Sequence, residues 1–474
     1  MFDAYLAFQA RTRPRALALL TPRRRATYAE FDADVNRYAA AFLRLGITPD
    51  RGIVAVHGNS AYRHHVMLMA LARIGVATTA TADTRADLRL SDRPGAKGQN
   101  LHPLDAAWIA EVEAADPVEV PSAPRDPAGL ARVLLSSGTT GEAKRVPLSW
   151  RRMEANALSA LNAYAAGRLG VWAIRTGVDS SLGYSMATLA WSMGAAVAVD
   201  YAPQDLPLLL ERQPTGLLGL TPMHLREMLR RLPAGFDLKP DWRIVVTGAL
   251  LPAPLSREAR RRISPDIHVI YGSTETGRAT VGPAIHLEET PGAVGWPVPG
   301  VSVELVDADG SPVPDGAQGE VRIRSERNVG RYLDDPEASA QAFRDGWFHP
   351  GDLARRLPGG LIVIDGRADE LMNLGGRKLL PDALERALMD HPSVRDAAAF
   401  AIPGPDGVEQ CWIAVVADSD VSREALVQRL SGAGFELPAV RFAWAEGIPR
   451  NERGKVDRKA LRTQTLAALE KNAI

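Results

Sequence analysis

The chain has 474 residues, enough for two or three domains with cores of their own, and carries 56 lysines and arginines against 56 aspartates and glutamates. That balance excludes a global field drawn to nucleic acid, so runs such as Arg23 to Arg25 and Arg260 to Arg262 read as solvated faces. The one cysteine, Cys411, excludes an internal disulfide and a cysteine-rich metal site and points to a reducing, cytoplasmic setting.

Residues 1–20 mix acid and arginine from the start and lack a cleavage pattern, so no signal peptide is expected. In "TYAEFDADVNRYAAAFLRLGI" (27–47), Phe31, Val35, Tyr38, Phe42 and Leu45 recur at helical spacing; "GIVAVHG" (52–58) follows as a buried strand, then an apolar helix over 62–75. The alternation resumes with a strand at 131–137, a helix after Ser149, and strands at 243–248 and 268–272, each ending in glycine or hydroxyl residues. Ligands gather at such strand ends in open α/β sheets. The run from Ser180 to Val199 carries no charge and matches a bilayer in length; Gly183, Gly194 and the lack of flanking basic residues favour a buried helix followed by a strand over a membrane span.

From about 293 the texture turns to short strands: "VSVELVDADG", "GEVRIRS" and "LIVIDG". After "DGRADE" (365–370) come a helix over "LPDALERALMDH", two strands, another helix and a final strand. The expected fold is α/β: a large N-terminal domain (1–368) of two doubly wound α/β subdomains plus a small β-rich subdomain (about 293–368). A small mobile α+β domain (369–474) would follow.

Five short motifs carry chemistry. "SSGTTGEAK" (136–144) ends a strand in small, hydroxyl and glycine residues and a lysine, then runs toward what reads as a helix; it suits a polyphosphate, although Ala143 before Lys144 departs from the Walker pattern. "YGSTETG" (271–277) exposes Glu275, a hard oxygen ligand for Mg²⁺, beside Thr274. "GWFHPGDL" offers Asp352 to ribose hydroxyls, "IDGRADE" adds Arg367, and "NERGKVDRKAL" carries Lys455. Singly, Glu275 could cap a helix, Asp352 could close an Asx turn, Arg367 could pair at the surface and Lys455 could be a solvated lysine.

Taken in order, and with "VVTGALLPAPL" and "PGAVGWPVPG" between them, the motifs resemble the adenylate-forming superfamily. It comprises acyl-CoA synthetases, peptide-synthetase adenylation domains and luciferase-like enzymes. The resemblance implies attack of a carboxylate on the α-phosphorus of ATP, with release of pyrophosphate and formation of an acyl-adenylate. Transfer to a thiol follows, most simply that of coenzyme A. The alternative is a stand-alone adenylation enzyme that loads an amino or aryl acid onto a separate carrier protein or an amine. No carrier domain follows Ile474, so a phosphopantetheine acceptor is expected on another protein. A catalytically silent nucleotide-binding paralogue is a further reading, against which stand Lys455, Glu275 and Asp352.

By the same resemblance, Ser136, Ser137, Gly138, Thr139, Thr140, Gly141 and Lys144 form the phosphate loop, and Glu275 with Thr139 holds Mg²⁺. Gly248, Ala249, Tyr271 and Gly272 line the adenine, Asp352 and Arg367 hold the ribose, and Thr274, Glu275 and Lys455 act in catalysis. Asp369 is the hinge. Tyr184, Ser185, Thr221, Met223 and Leu250 form the acid pocket, apolar to mildly polar. Relatives that take amino acids place an aspartate where Ser181 stands here, which favours a non-amino acid over an amino acid, with Asp179 nearby.

Four departures stand out. Arg145 replaces a glycine at the end of the phosphate loop, Pro350 a common threonine, and Asn373 a lysine that assists thiol transfer in some relatives. The segment 80–100 passes almost directly between strands where relatives insert a helix.

Overall fold

The computed structural model describes residues 2–136, 143–165, 167, 170–374, 377–391, 393–403, 409–417, 421–435, 437, 440–450 and 455–471. Ser137, Gly138, Thr139, Thr140 and Gly141 lie outside the described residues.

The first sheet has six strands in the order Leu101–Pro103, Leu88–Ser91, Val54–His57, Thr78–Thr79, Leu130–Ser136 and Lys144–Ser149. All neighbours are parallel except the last pair, where Ser136 stands opposite Lys144 in an antiparallel ladder. The strand Lys144–Ser149 was not anticipated, whereas the helix expected after Ser149 forms. The phosphate segment joins two strands, and the helix Trp150–Ala160 begins only after Ser149, whose hydroxyl accepts from the Arg152 amide as N-cap. Helix-dipole stabilisation of phosphates at Lys144 is therefore not available from that helix.

The second sheet starts with Leu17–Leu20, which pairs in parallel with Ala196–Ala198, and continues through Val171–Ile174, Gly216–Leu220, Trp242–Val246 and Ile267–Ser273. Antiparallel strands Gly277–Pro283 and Ala293–Pro297 then carry it into the strands over 301–367, giving one 15-stranded sheet. The doubly wound α/β expectation holds, with the β-rich part continuous with the second sheet.

The predicted N-terminal helix forms over Tyr28–Arg44, closed by a Thr27–Glu30 capping box. Its buried face, Phe31, Val35, Tyr38 and Phe42, packs into a core shared with Trp191 and Tyr62. The uncharged run resolves as the helix Ser181–Met193, stopped by Gly194 at φ 76°, and the strand Ala196–Ala198. Among the described residues no helix is long and apolar enough to cross a membrane. Between Thr79 and Leu88 the chain reaches its next strand without a helix, as the shortened segment implies.

The C-terminal part holds a three-stranded sheet of Val394–Pro403, Glu409–Ala417 and Val440–Trp444, and a two-stranded ladder of Met372–Leu374 with Arg377–Leu379. Side chains alternate along the central strands: Ala399, Ala401, Ile413 and Val415 face Leu384, Leu388 and Leu426, while Phe400, Ile402 and Trp412 face the opposite way onto Leu461. Leu461 belongs to a helix, Arg458–Lys471, that the sequence reading did not anticipate. It covers the second apolar face.

Candidate active site

The ends of the second sheet, the Glu275 turn, the β-rich strands and the C-terminal domain enclose a cavity of about 1650 Å³. Pockets for one small ligand run to roughly 300–1,000 Å³, so this one has room for two.

Of the nucleotide residues read from the sequence, Ser136, Lys144, Gly248, Ala249, Tyr271, Gly272, Asp352 and Arg367 all line it, and so do Thr274, Glu275 and Lys455. Gly248 and Ala249 follow the strand Trp242–Val246, and Tyr271 and Gly272 close Ile267–Ser273, so two neighbouring parallel strands deliver them to one edge. Lys144 Nζ lies 4.9 Å from the centre of the Tyr332 ring, and the Tyr332 hydroxyl donates to Glu275 at 3.0 Å. Tyr332 escaped the sequence reading because it lies in an irregular segment ahead of the helix Pro336–Ala342, away from the five motifs.

Asp352 opens the strand Asp352–Arg356 and accepts the Tyr271 hydroxyl at 2.5 Å, while Arg367 Nη1 stands 3.5 Å from its other oxygen. Burial pushes the Asp352 carboxyl above its ordinary range, opposed by the Tyr271 bond and by the charges of Arg367 and Lys455. Burial and the Asp352 charge push the Tyr271 phenol well above its own range, so it stays a donor. Asp369, next to the cavity, takes both Nε and Nη2 of Arg367 at 3.0 and 3.1 Å.

Glu275 is a buried carboxylate on the cavity wall, 6% exposed. One carboxylate facing a space large enough for a polyphosphate fits Mg²⁺, which keeps several waters and phosphate oxygens as its remaining ligands.

At the acid end, Ser185, Thr221, Met223 and Leu250 line the cavity, with Met223 at the rim, 40% exposed. Tyr184 does not. It is 5% exposed in the core, with the Arg132 guanidinium 4.3 Å from its ring centre. Helical spacing explains the correction: Ser181 and Ser185 share one face of Ser181–Met193, whereas Tyr184 lies on the face of Thr188 and Trp191. Asp179 is not on the wall either; its carboxylate is taken by Arg132 at 3.0 Å and the Thr81 amide at 2.9 Å. The cavity also receives Asn156, Tyr164, Thr176 and Arg278, none of which sequence reasoning found. Only Arg278, directly after "YGSTETG", carried a signal that could have been read.

Known proteins share the sequence and fold of this chain. The profile of the AMP-binding enzyme family matches residues 6–93 and 82–333. A fatty acid–[acyl-carrier-protein] ligase, ScoC, of Streptomyces coeruleorubidus is 28% identical over 96% of this chain and 95% of its own length. An indoleacetate–CoA ligase of Aromatoleum aromaticum is 30% identical over 72% of this chain and 69% of its own. ATP-bound MatB from Rhodopseudomonas palustris superposes with a TM-score of 0.85 at 24% identity, covering 98% of this chain and 99% of that one, a likeness of fold. The chain thus belongs to the AMP-binding enzyme family, within the adenylate-forming superfamily that its motifs resemble.

Proposed function

We propose that this enzyme activates a carboxylic acid with ATP and passes the acyl group to a thiol, that of coenzyme A or of a phosphopantetheine arm on a separate carrier protein. In the first step a carboxylate oxygen bonds to the α-phosphorus, the bond to the bridging oxygen breaks, and pyrophosphate leaves. An anion meets a tetra-anion there, so catalysis is charge neutralisation and positioning. The observation that carries the reading is that Lys455, Asp352 and Glu275, far apart in sequence, open onto one cavity.

In this reading Thr139, Thr140 and Lys144 hold the β- and γ-phosphates, and Glu275 with the Thr139 hydroxyl holds the Mg²⁺ that accompanies ATP. Gly248, Ala249, Gly272 and the Tyr271 ring contact adenine. Asp352 accepts the ribose hydroxyls, steadied by Arg367. Lys455 bridges the carboxylate and an α-phosphate oxygen. Rotation about Asp369 then withdraws Lys455 and admits the thiol, with residues 1–368 as the body and 369–474 as the lid.

Mass spectrometry of the protein with ATP, Mg²⁺ and pooled fatty, aryl and amino acids, with and without coenzyme A, tests this. An acyl-CoA identifies acid and acceptor together. An acyl-adenylate that persists in the presence of coenzyme A assigns the acceptor to a carrier protein or an amine, and no adenylate from any acid refutes the activation step.

A further inference from the structure

The cavity wall carries a buried arginine, Arg278, that no carboxylate answers among the described residues. Arg278 follows the Glu275 turn, is 6% exposed and lines the cavity. Its Nη1 donates to the backbone carbonyl of Asn156 and, at 3.0 Å, to that residue's Oδ1, while its Nε is buried with no partner. Among the described residues no carboxylate pairs with it. Gly277 makes this seat possible, since a Cβ there would lie 2.5 Å from Asn156 Oδ1.

Two more buried arginines stand behind it. Arg152 donates to the carbonyls of Arg327 and Thr274, and Arg327 donates to that of Arg278 at 3.0 Å. Burial, and then the charge of Arg278, push Arg327 down to about 10; burial pushes Arg152 down to about 9 against the opposing charge of Glu275. Glu275 answers Arg152 alone, and among the described residues no carboxylate pairs with Arg327 or Arg278. An unpaired buried cation is expensive unless a ligand supplies the anion.

The wall around Arg278 is rich in unused donors. Tyr164 is 2% exposed, its hydroxyl is buried without a partner, and its ring centre lies 5.5 Å from the Arg278 guanidinium carbon. It sits in the π-turn Leu161–Ala165, a local unwinding that recurs at functional sites. The Thr176 hydroxyl is likewise buried and unpartnered on the same cavity.

We propose that the acid this enzyme activates carries a second anionic group, a carboxylate remote from the reacting one, received by Arg278 with the Tyr164 hydroxyl. The inference rests on the activation reading and narrows it. It also excludes amino acids, because Arg278 repels an ammonium and Asp179 is committed to Arg132.

The test is ATP–pyrophosphate exchange with short α,ω-dicarboxylates, chain-matched monocarboxylates and ω-hydroxy acids. The dicarboxylates should lead in kcat/KM by on the order of a hundredfold, because a site built around a charged partner rejects the analogue that lacks it. Arg278→Met should raise KM for the dicarboxylate, lower it for the monocarboxylate and leave KM for ATP unchanged; Tyr164→Phe, which keeps the ring, should shift preference the same way by less. A wild-type preference for monocarboxylates or hydroxy acids overturns the inference and leaves activation standing. So does an equal loss for every acid in Arg278→Met. No exchange with any acid, while ATP still binds, overturns the activation reading and the inference with it.

Discussion

Arg145 and Asp83 meet at 3.0 Å in the interior, their side chains 6% and 1% exposed. Arg145 stands where relatives close the phosphate loop with a glycine, and Asp83 belongs to the segment that lacks the usual helix, so two departures of the sequence answer each other. The guanidinium reaches on to Asp334 at 2.6 Å, the Arg145 carbonyl accepts the Leu333 amide at 2.8 Å, and Thr79 holds Asp83 at 2.8 Å. The return strand of the phosphate loop is thereby tied to both the first sheet and the β-rich part.

Arg145→Met leaves the buried Asp83 charge with only the Thr79 hydroxyl, the Arg85 amide and the Arg85 guanidinium at 3.8 Å, and should cost about 3 kcal/mol, the low end of the penalty for breaking a buried pair from one side. Urea denaturation measures it. Arg145→Met with Asp83→Leu should recover most of the loss, since replacing both partners removes the orphaned charge. A single-variant loss below about 1 kcal/mol would show that the pair is only decorative.

Nucleotide affinity should fall on acidification earlier than an exposed aspartate would dictate. Burial raises the Asp352 carboxyl, so its charged, ribose-accepting form is complete only above that raised value and is lost as pH drops through it. Calorimetric titration with AMP from neutral pH downward should trace that loss. Asp352→Asn should weaken binding roughly ten- to hundredfold and flatten the profile. A wild-type curve that stays level until an ordinary carboxylate titrates would remove Asp352 from the ribose.

Lys455→Ala should slow acyl-adenylate formation about 10²- to 10³-fold, the cost of one donor aimed at developing charge. Thiol transfer from a preformed adenylate should persist. Stopped-flow on each half-reaction separates the two, and equal loss in both would sink the assignment.

Asp369, the proposed hinge, sits in the turn Ala368–Glu370, whose φ range accommodates proline. Lys455 lines the cavity in this arrangement, so Asp369→Pro should retain adenylation and lose transfer. Half-reactions that both survive unaltered would place the pivot elsewhere.

The sequence disclosed whatever was local. Thr27, Ser149 and Gly194 mark helix ends in the structure as their types require, and the nucleotide motifs lie at strand ends where turn residues had to fall. What it withheld depends on packing. Tyr184 and Ser185 are neighbours in the chain, yet one faces the core and the other the cavity, and only the rotation of the helix against its sheet decides which. Arg278 looked like one arginine among many until Asn156 and Tyr164, from another helix, closed around it. The strand Lys144–Ser149 was missed because hydroxyls and glycines punctuate hairpins and helix starts alike.

One carboxylate joins the proposed lid to the rest of the chain. Asp396, in the C-terminal strand Val394–Pro403, takes Arg450 Nη2 on both oxygens at 2.8 and 2.9 Å, and Arg226 of the acid-side helix Pro222–Arg230 stands 3.9 Å away. Arg450 bridges antiparallel to Val456, the neighbour of Lys455, so this one carboxylate steadies the lysine's surroundings and faces Arg226 at once. Its side chain is 16% exposed, which shields the pair from salt more than a surface bridge would be. Asp396→Asn should lower the adenylation rate about five- to thirtyfold, the equivalent of one or two kcal/mol of lid orientation, and spare transfer from a preformed adenylate. Arg226→Met should act in the same direction, and the double variant should be little worse than the stronger single one, because both break one contact. Fully additive losses would mean that Asp396 only braces Arg450 within the lid and that the body is held by other contacts.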